Sequence, residues 1–96
     1  MFKMVIEDVF VIRDRGVVAT GRVESGTLRV GDTVQVNGGR SVTVDAIEKF
    51  RKKLPEATQG ENAGLLFRSI SGEQLGRGDV LTAAPSRASY GEAPPL

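Results

Sequence analysis

Neither cysteine nor histidine occurs in the 96-residue sequence. The first absence excludes a disulfide framework and a thiolate metal site; the second removes the usual general base and the usual zinc ligand. No apolar run approaches the ~20 residues that a membrane-spanning helix requires. Helical periodicity is almost absent, and Met1 leads straight into strand-like sequence without a basic-then-apolar leader, so a cytoplasmic address is the expectation. Neither charge sign dominates. With a net charge of +1 the composition alone does not point to a polyanionic partner, and any basic surface must be local. Glycine is plentiful, yet no Gly-x-x-x-x-Gly-Lys-Ser/Thr occurs, and Gly38-Gly39-Arg40 lies between strand-like runs with no helix N-terminus to meet a phosphate. A nucleotide-hydrolysing site is therefore not expected.

What the sequence does contain is short strands. A chain of this length forms one domain, burying roughly 60–65% of its unfolded surface, with stability on the order of 5–10 kcal/mol. Ile6 to Gly26 holds two β-branched runs around a charged turn at Arg13 to Gly16, which reads as a hairpin of strands from Phe2 to Ile12 and from Val17 to Glu24. Glu7-Asp8 interrupts the alternation of the first strand, and a bulge there would turn both carboxylates to one surface. Gly21 in the second strand implies a bulge or a close backbone approach.

Farther along, Ser25-Gly26 turns the chain into Thr27 to Val30, with Leu28 and Val30 on one face. Val34 and Val36, then Val42 and Val44, alternate with polar residues on either side of an Asn37-Gly38-Gly39 hairpin turn. Lys49 to Lys53 is a basic run read as an exposed edge, and Pro55 limits any helix there to a turn. Ala63 to Ile70 is apolar enough to be the most buried strand, with Gly64 a bulge or close-contact point. One of Leu65, Leu66 and Phe67 must leave its inward set. Arg77-Gly78-Asp79 opens a last strand, Val80 to Ala83, and the run from Pro85 to Leu96 reads as a flexible tail without a core role. These elements make an all-β protein, most simply a closed antiparallel six- to seven-stranded β-barrel over residues 1–84, since closure removes open edges.

Few constellations carry chemistry. Glu7 with Asp8 offers paired carboxylates, but adjacent residues on a bulge serve more often as hydrogen-bond acceptors or solvated charges, so no catalytic residue is assigned. Arg77-Gly78-Asp79 is explained as a polar turn before a strand. Lys49, Arg51, Lys52 and Lys53 around Phe50 combine phosphate-neutralising cations with an aromatic that can stack on a base. Solvated edge charges are the plainer account of the same run. Asn62, between glycines, either caps a turn or offers a ligand its amide.

Several blocks, in order, resemble the second domain of bacterial elongation factor Tu: Ile-Glu-Asp-Val-Phe from Ile6, Arg-Gly at Arg15, Thr-Gly-Arg-Val-Glu-x-Gly from Thr20, Val-Gly-Asp from Val30, Phe-Arg-Lys from Phe50, Gly-Glu-Asn-x-Gly-Leu-Leu from Gly60 and Arg-Gly-Asp-Val-Leu from Arg77. The likeness spans Phe2 to about Leu81. It implies the barrel of translational GTPase second domains, a non-enzymatic module that holds the aminoacylated acceptor end of transfer RNA against a GTPase domain and touches ribosomal RNA. By the same resemblance Ile12, Val18 and Leu66 would line a pocket for the terminal adenosine, and Glu48 would hydrogen-bond near its ribose. Glu7, Asp8, Phe10, Thr20, Phe50, Arg51 and Asn62 would surround the aminoacyl group.

Two departures stand out. Asp14 occupies a turn position where that family usually has glycine, and the Asn37 to Arg40 loop is short. Nothing resembles the GTPase domain or the start of a third domain, so a small free-standing gene product is expected, working either alone or beside a separate translational GTPase. No cofactor, metal, membrane or DNA is expected. The competing class is a protein-interaction barrel that has lost RNA contact, since fold alone does not fix function.

Overall fold

The computed structural model describes residues 1–84. The tail from Pro85 to Leu96 lies outside the described residues. The first two strands, β1 (Lys3–Ile12) and β2 (Gly16–Ser25), form a long antiparallel hairpin. Shorter strands follow: β3 (Thr27–Arg29), β4 (Thr33–Val36), β5 (Ser41–Thr43), β6 (Ala46–Lys49), β7 (Lys52–Leu54), β8 (Glu56–Thr58), β9 (Asn62–Phe67) and β10 (Val80–Ala83). A single 3-10 turn at Gly72–Gln74 is the one helical element among the described residues. An eight-stranded sheet runs in the order β5-β4-β10-β1-β2-β9-β6-β7, and β3 pairs with β8 in a separate ribbon, every pair antiparallel.

The ten strands exceed the expected six or seven because three short strands, β6, β7 and β8, occupy residues 46–58, a stretch that reads in sequence as a basic edge and a proline-limited turn. Asp45 lies in a break between β5 and β6, while Phe50 and Arg51 separate β6 from β7. Both ends of the large sheet, β5 and β7, are edge strands with one ladder partner each. The lysines of β7 keep such an edge from pairing with another chain.

The core follows the two-residue period. Val17, Ala19 and Val23 of β2 point inward with Ala63, Leu65 and Phe67 of β9 and Ile47 of β6, and Val34, Val42, Val44 and Leu81 extend the cluster. On β1 the inward set is Met4 and Ile6, and continuing that parity would send Asp8 and Phe10 into the interior. A bulge prevents it. Ile6 pairs with Gly21 and Asp8 with Thr20, which leaves Glu7 as the extra residue. From there the parity is reversed: Val9, opposite Ala19, packs on the core, while Asp8 and Phe10 share the outer face with Thr20 and Val18. Opposite the bulge, a Cβ at Gly21 would collide with the carbonyl oxygen of Val5, so the close approach expected there is present.

Two local expectations are corrected, at Val30 and at the end of the buried strand, and two alternatives left open are resolved, at Gly64 and at Leu66. Val30 does not share the buried face of Leu28, because β3 ends at Arg29 and Val30 is exposed. The buried strand ends at Phe67 rather than Ile70, and Gly64 is regularly paired with Thr20 and Glu48, so it is not a bulge. Leu66 is the member of the apolar triplet that leaves the inward set. It faces outward opposite Val18 and Ala46 yet is buried, outside the main cluster.

Candidate functional site

The outer face of β1, β2, β9 and β6 is arranged in rows fixed by strand register. One row contains Phe10, Val18, Leu66 and Ala46, and the next contains Asp8, Thr20, Gly64 and Glu48. A third places Arg22 opposite Asn62. In the second row Gly64 has no side chain, so the sheet surface dips between Thr20 and Glu48. An open groove of about 380 Å³ occupies this dip. Glu7 lines it from β1, Val18, Thr20 and Gly21 from β2, Asn62, Ala63 and Gly64 from β9, and Glu48 and Lys49 from β6. The tip of the β6–β7 hairpin adds Phe50 and Arg51.

That tip is backbone-strained. Lys49 pairs with Lys52, and the two residues between them, Phe50 and Arg51, both have positive φ, 52° and 66°. The turn at Asn37-Gly38 has the same pair of positive φ values, but from residues suited to them. A left-handed conformation costs a residue with a Cβ about 1–2 kcal/mol, and strain of this kind concentrates at functional positions. Phe50 at this tip is 87% exposed. The Lys49 Nζ lies 5.7 Å from the centre of that ring, a cation–π distance.

Charges around the groove are partly committed to one another. Arg15 Nη2 donates to Glu48 Oε2 at 2.8 Å, and Lys49 Nζ donates to Glu61 Oε2 at 3.4 Å. The backbone N–H of Thr58 donates to Glu61 Oε1 at 2.8 Å. The hydrogen bond from the Thr58 N–H, and after it the Lys49 ammonium, hold the Glu61 carboxyl below its usual value. Arg51, Lys52 and Lys53 take part in no ion pair among the described residues, and of the three Arg51 lines the groove while Lys52 and Lys53 follow it on β7.

The structure brings together Glu7, Val18, Thr20, Glu48, Phe50, Arg51 and Asn62 at this groove. Asp8 and Phe10 stand on the same outer face, one strand away from the groove floor. Ile12 sits at the far end of β1 opposite Gly16, and Leu66 is buried rather than lining the cavity. Gly64 and Lys49 also line the groove without a site role assigned from sequence, although both drew notice there as a glycine in a strand and a member of a basic run. Arg15 carries no sequence signal for its contact with Glu48, 33 residues away. A second depression, about 570 Å³ around Arg22, Glu24 and Gln59, holds none of the expected residues. No helix of the described residues is long and apolar enough to cross a membrane.

Asp14 adopts φ 65° in the turn closed by the Arg15 N–H to Ile12 carbonyl bond of 3.0 Å. Positive φ at the third position of such a turn is where glycine is favoured. Its neighbour Arg15 is turned toward Glu48, and the Asp14 carboxylate is in no ion pair among the described residues.

The sequence matches the family model of elongation factor Tu domain 2 over residues 16–82, from the first residue of β2 to within β10. Strands β2 to β9, the Phe50-Arg51 tip and the groove floor at Gly64 fall inside that span. With the match covering well over half of the chain, this translation-factor-like β domain belongs to the elongation factor Tu domain 2 family.

Proposed function

We propose that the groove holds the aminoacylated 3′ end of a transfer RNA, in a binding module that is not itself an enzyme. The observation that supports this reading most is convergence. Seven residues from β1, β2, β6, β9 and the β6–β7 tip, selected by resemblance and scattered over 56 positions of chain, line one open groove. Its lining includes the unpaired cation Arg51, followed in the chain by Lys52 and Lys53, and the exposed Phe50, the parts needed to neutralise phosphates and stack on a base. Glu7 and Asn62 supply an acceptor and an amide for the polar ester end.

The same reading treats the large sheet and the β3–β8 ribbon as parts of one barrel. Leu28 of β3 and Ala57 of β8 are buried in the same apolar cluster as the inward residues of the large sheet, which supports it. Such a module works in the cytoplasm, beside a separate translational GTPase or against ribosomal RNA.

The test is a titration of the chain with an acceptor-stem RNA, aminoacylated and uncharged, at low and moderate salt. Tighter binding of the charged form, weakening as salt rises, is the expected result. No RNA binding at low salt, together with salt-insensitive capture of a protein, would overturn it in favour of a protein-interaction domain.

A further inference from the structure

The Arg77-Gly78-Asp79 turn does more than start a strand. It lies against the bulge of β1, 70 residues away in sequence. The Ile6 N–H donates to the Asp79 carbonyl at 2.9 Å, and the Gly78 N–H donates to the Ile6 carbonyl at 2.8 Å, so the turn pairs with the residue just before the bulge. Arg77 then reaches the bulge itself. Its Nε donates to the Glu7 carbonyl oxygen at 2.9 Å and stands 3.6 Å from Asp8 Oδ1. Glu7 is the residue left without a cross-strand partner in β2, so its carbonyl receives from a side chain what the ladder does not supply.

We propose that Arg77 is a positioning residue for the groove: it fixes the Glu7-Asp8 bulge so that the Glu7 side chain faces the cavity while Asp8 stays on the outer face. The consequence for ligand choice rests on the reading of the groove as an aminoacyl-end site. With the bulge loosened, the polar contact to the aminoacyl group weakens, whereas contacts from Phe50 and the basic rim to the RNA remain.

Two variants separate the contacts. Arg77→Gln places an amide nitrogen the same number of bonds from Cα as the arginine Nε, so it retains a donor for the Glu7 carbonyl but loses the charge beside Asp8. Arg77→Ala loses both. The first measurement needs no ligand: amide chemical shifts and hydrogen exchange of the free chain. In Arg77→Ala the amides of Glu7, Asp8 and Thr20 are expected to shift and exchange faster, with those of Val34 and Val42 unchanged, and Arg77→Gln is expected to restore the native pattern. The second is affinity for charged and uncharged acceptor-stem RNA, where Arg77→Ala is expected to reduce the charged-over-uncharged preference several-fold and Arg77→Gln to retain it.

Unchanged Glu7 and Asp8 amides in Arg77→Ala would overturn the positioning role. If Arg77→Ala does not fold, a native bulge pattern in Arg77→Gln supports the role and a perturbed one overturns it. Failure of the wild-type chain to bind either RNA would overturn the reading of the groove but leave the amide result to decide the role of Arg77.

Discussion

The guanidinium of Arg15 and the carboxylate of Glu48 meet at 2.8 Å, joining the turn of the first hairpin to the strand beside the groove. Both side chains are partly exposed, at 39% and 27%. Replacing Arg15 by methionine should therefore cost under about 1 kcal/mol, and the cost should shrink in high salt. The larger effect is expected on binding. Glu48 freed from Arg15 is an unpaired carboxylate on the groove wall, so affinity for an RNA end should fall, most strongly at low salt. Urea unfolding and RNA titration of the same variant separate the two effects.

Replacing Phe50-Arg51 by Asn-Gly tests whether the strained tip is kept for function. Asn-Gly suits two successive positive φ values, as Asn37-Gly38 does in the neighbouring hairpin. The double variant should gain about 1–2 kcal/mol in unfolding free energy, and lose RNA affinity because a stacking ring and a cation are gone. Loss of stability instead would mean that Phe50 and Arg51 hold the tip by contacts of their own.

How far these features could be read in the sequence depended on whether their cause was local. The bulge at Glu7 shows as two carboxylates breaking an alternation, and the Asn37-Gly38 turn is written in residue types made for positive φ. The Phe50-Arg51 turn has the same backbone but no glycine or asparagine to announce it. Leu66 looks like core and is buried, yet its side of the sheet is set by the register of β9 with β2 and β6, which no short window contains. Arg15 with Glu48 and Arg77 with Glu7 meet across 33 and 70 residues. Only the folded topology brings such pairs together.

Gly64 offers a test of the groove that spares the fold. A Cβ there would lie 3.3 Å from Val18 Cγ1 and 3.8 Å from the Glu48 carbonyl oxygen, a tight but adjustable fit, and its φ is not in the left-handed region. Gly64→Ala should alter stability by no more than about 1 kcal/mol. It should also fill the dip between Thr20 and Glu48 and weaken RNA binding several-fold. Unchanged affinity would place the RNA elsewhere on the surface.

Glu61 gives the chain a predictable acid response. The Thr58 N–H and then Lys49 favour its charged form, so its folded-state pKa lies below the ordinary carboxylate value of 4.5. The contribution is therefore fully present above the unfolded value and is lost as pH falls through the folded one. Denaturant unfolding of wild type and Glu61→Gln at a series of pH values should show a difference near neutrality that narrows below about pH 4. A constant difference across that range would mean that the carboxylate is not the source.

Asp14 joins strain and charge at one position. Its φ of 65° suits glycine, and its carboxylate is in no ion pair among the described residues, since the adjacent Arg15 is engaged by Glu48. If the groove receives an anionic RNA end as proposed, and that end reaches the turn beside Arg15, the unneutralised carboxylate repels it by on the order of 1 kcal/mol, or about fivefold in affinity. Asp14→Gly removes that charge. It also relieves the positive φ, but the added freedom of the unfolded chain opposes this by ~0.4–1 kcal/mol. The net stability change should be small, so a binding change cannot be mistaken for a folding one. Titration with an aminoacylated acceptor-stem RNA should show a gain in affinity at low salt that fades as salt rises. A gain that persists at high salt would point to the altered turn rather than the charge, and no gain at all would make Asp14 a turn former alone.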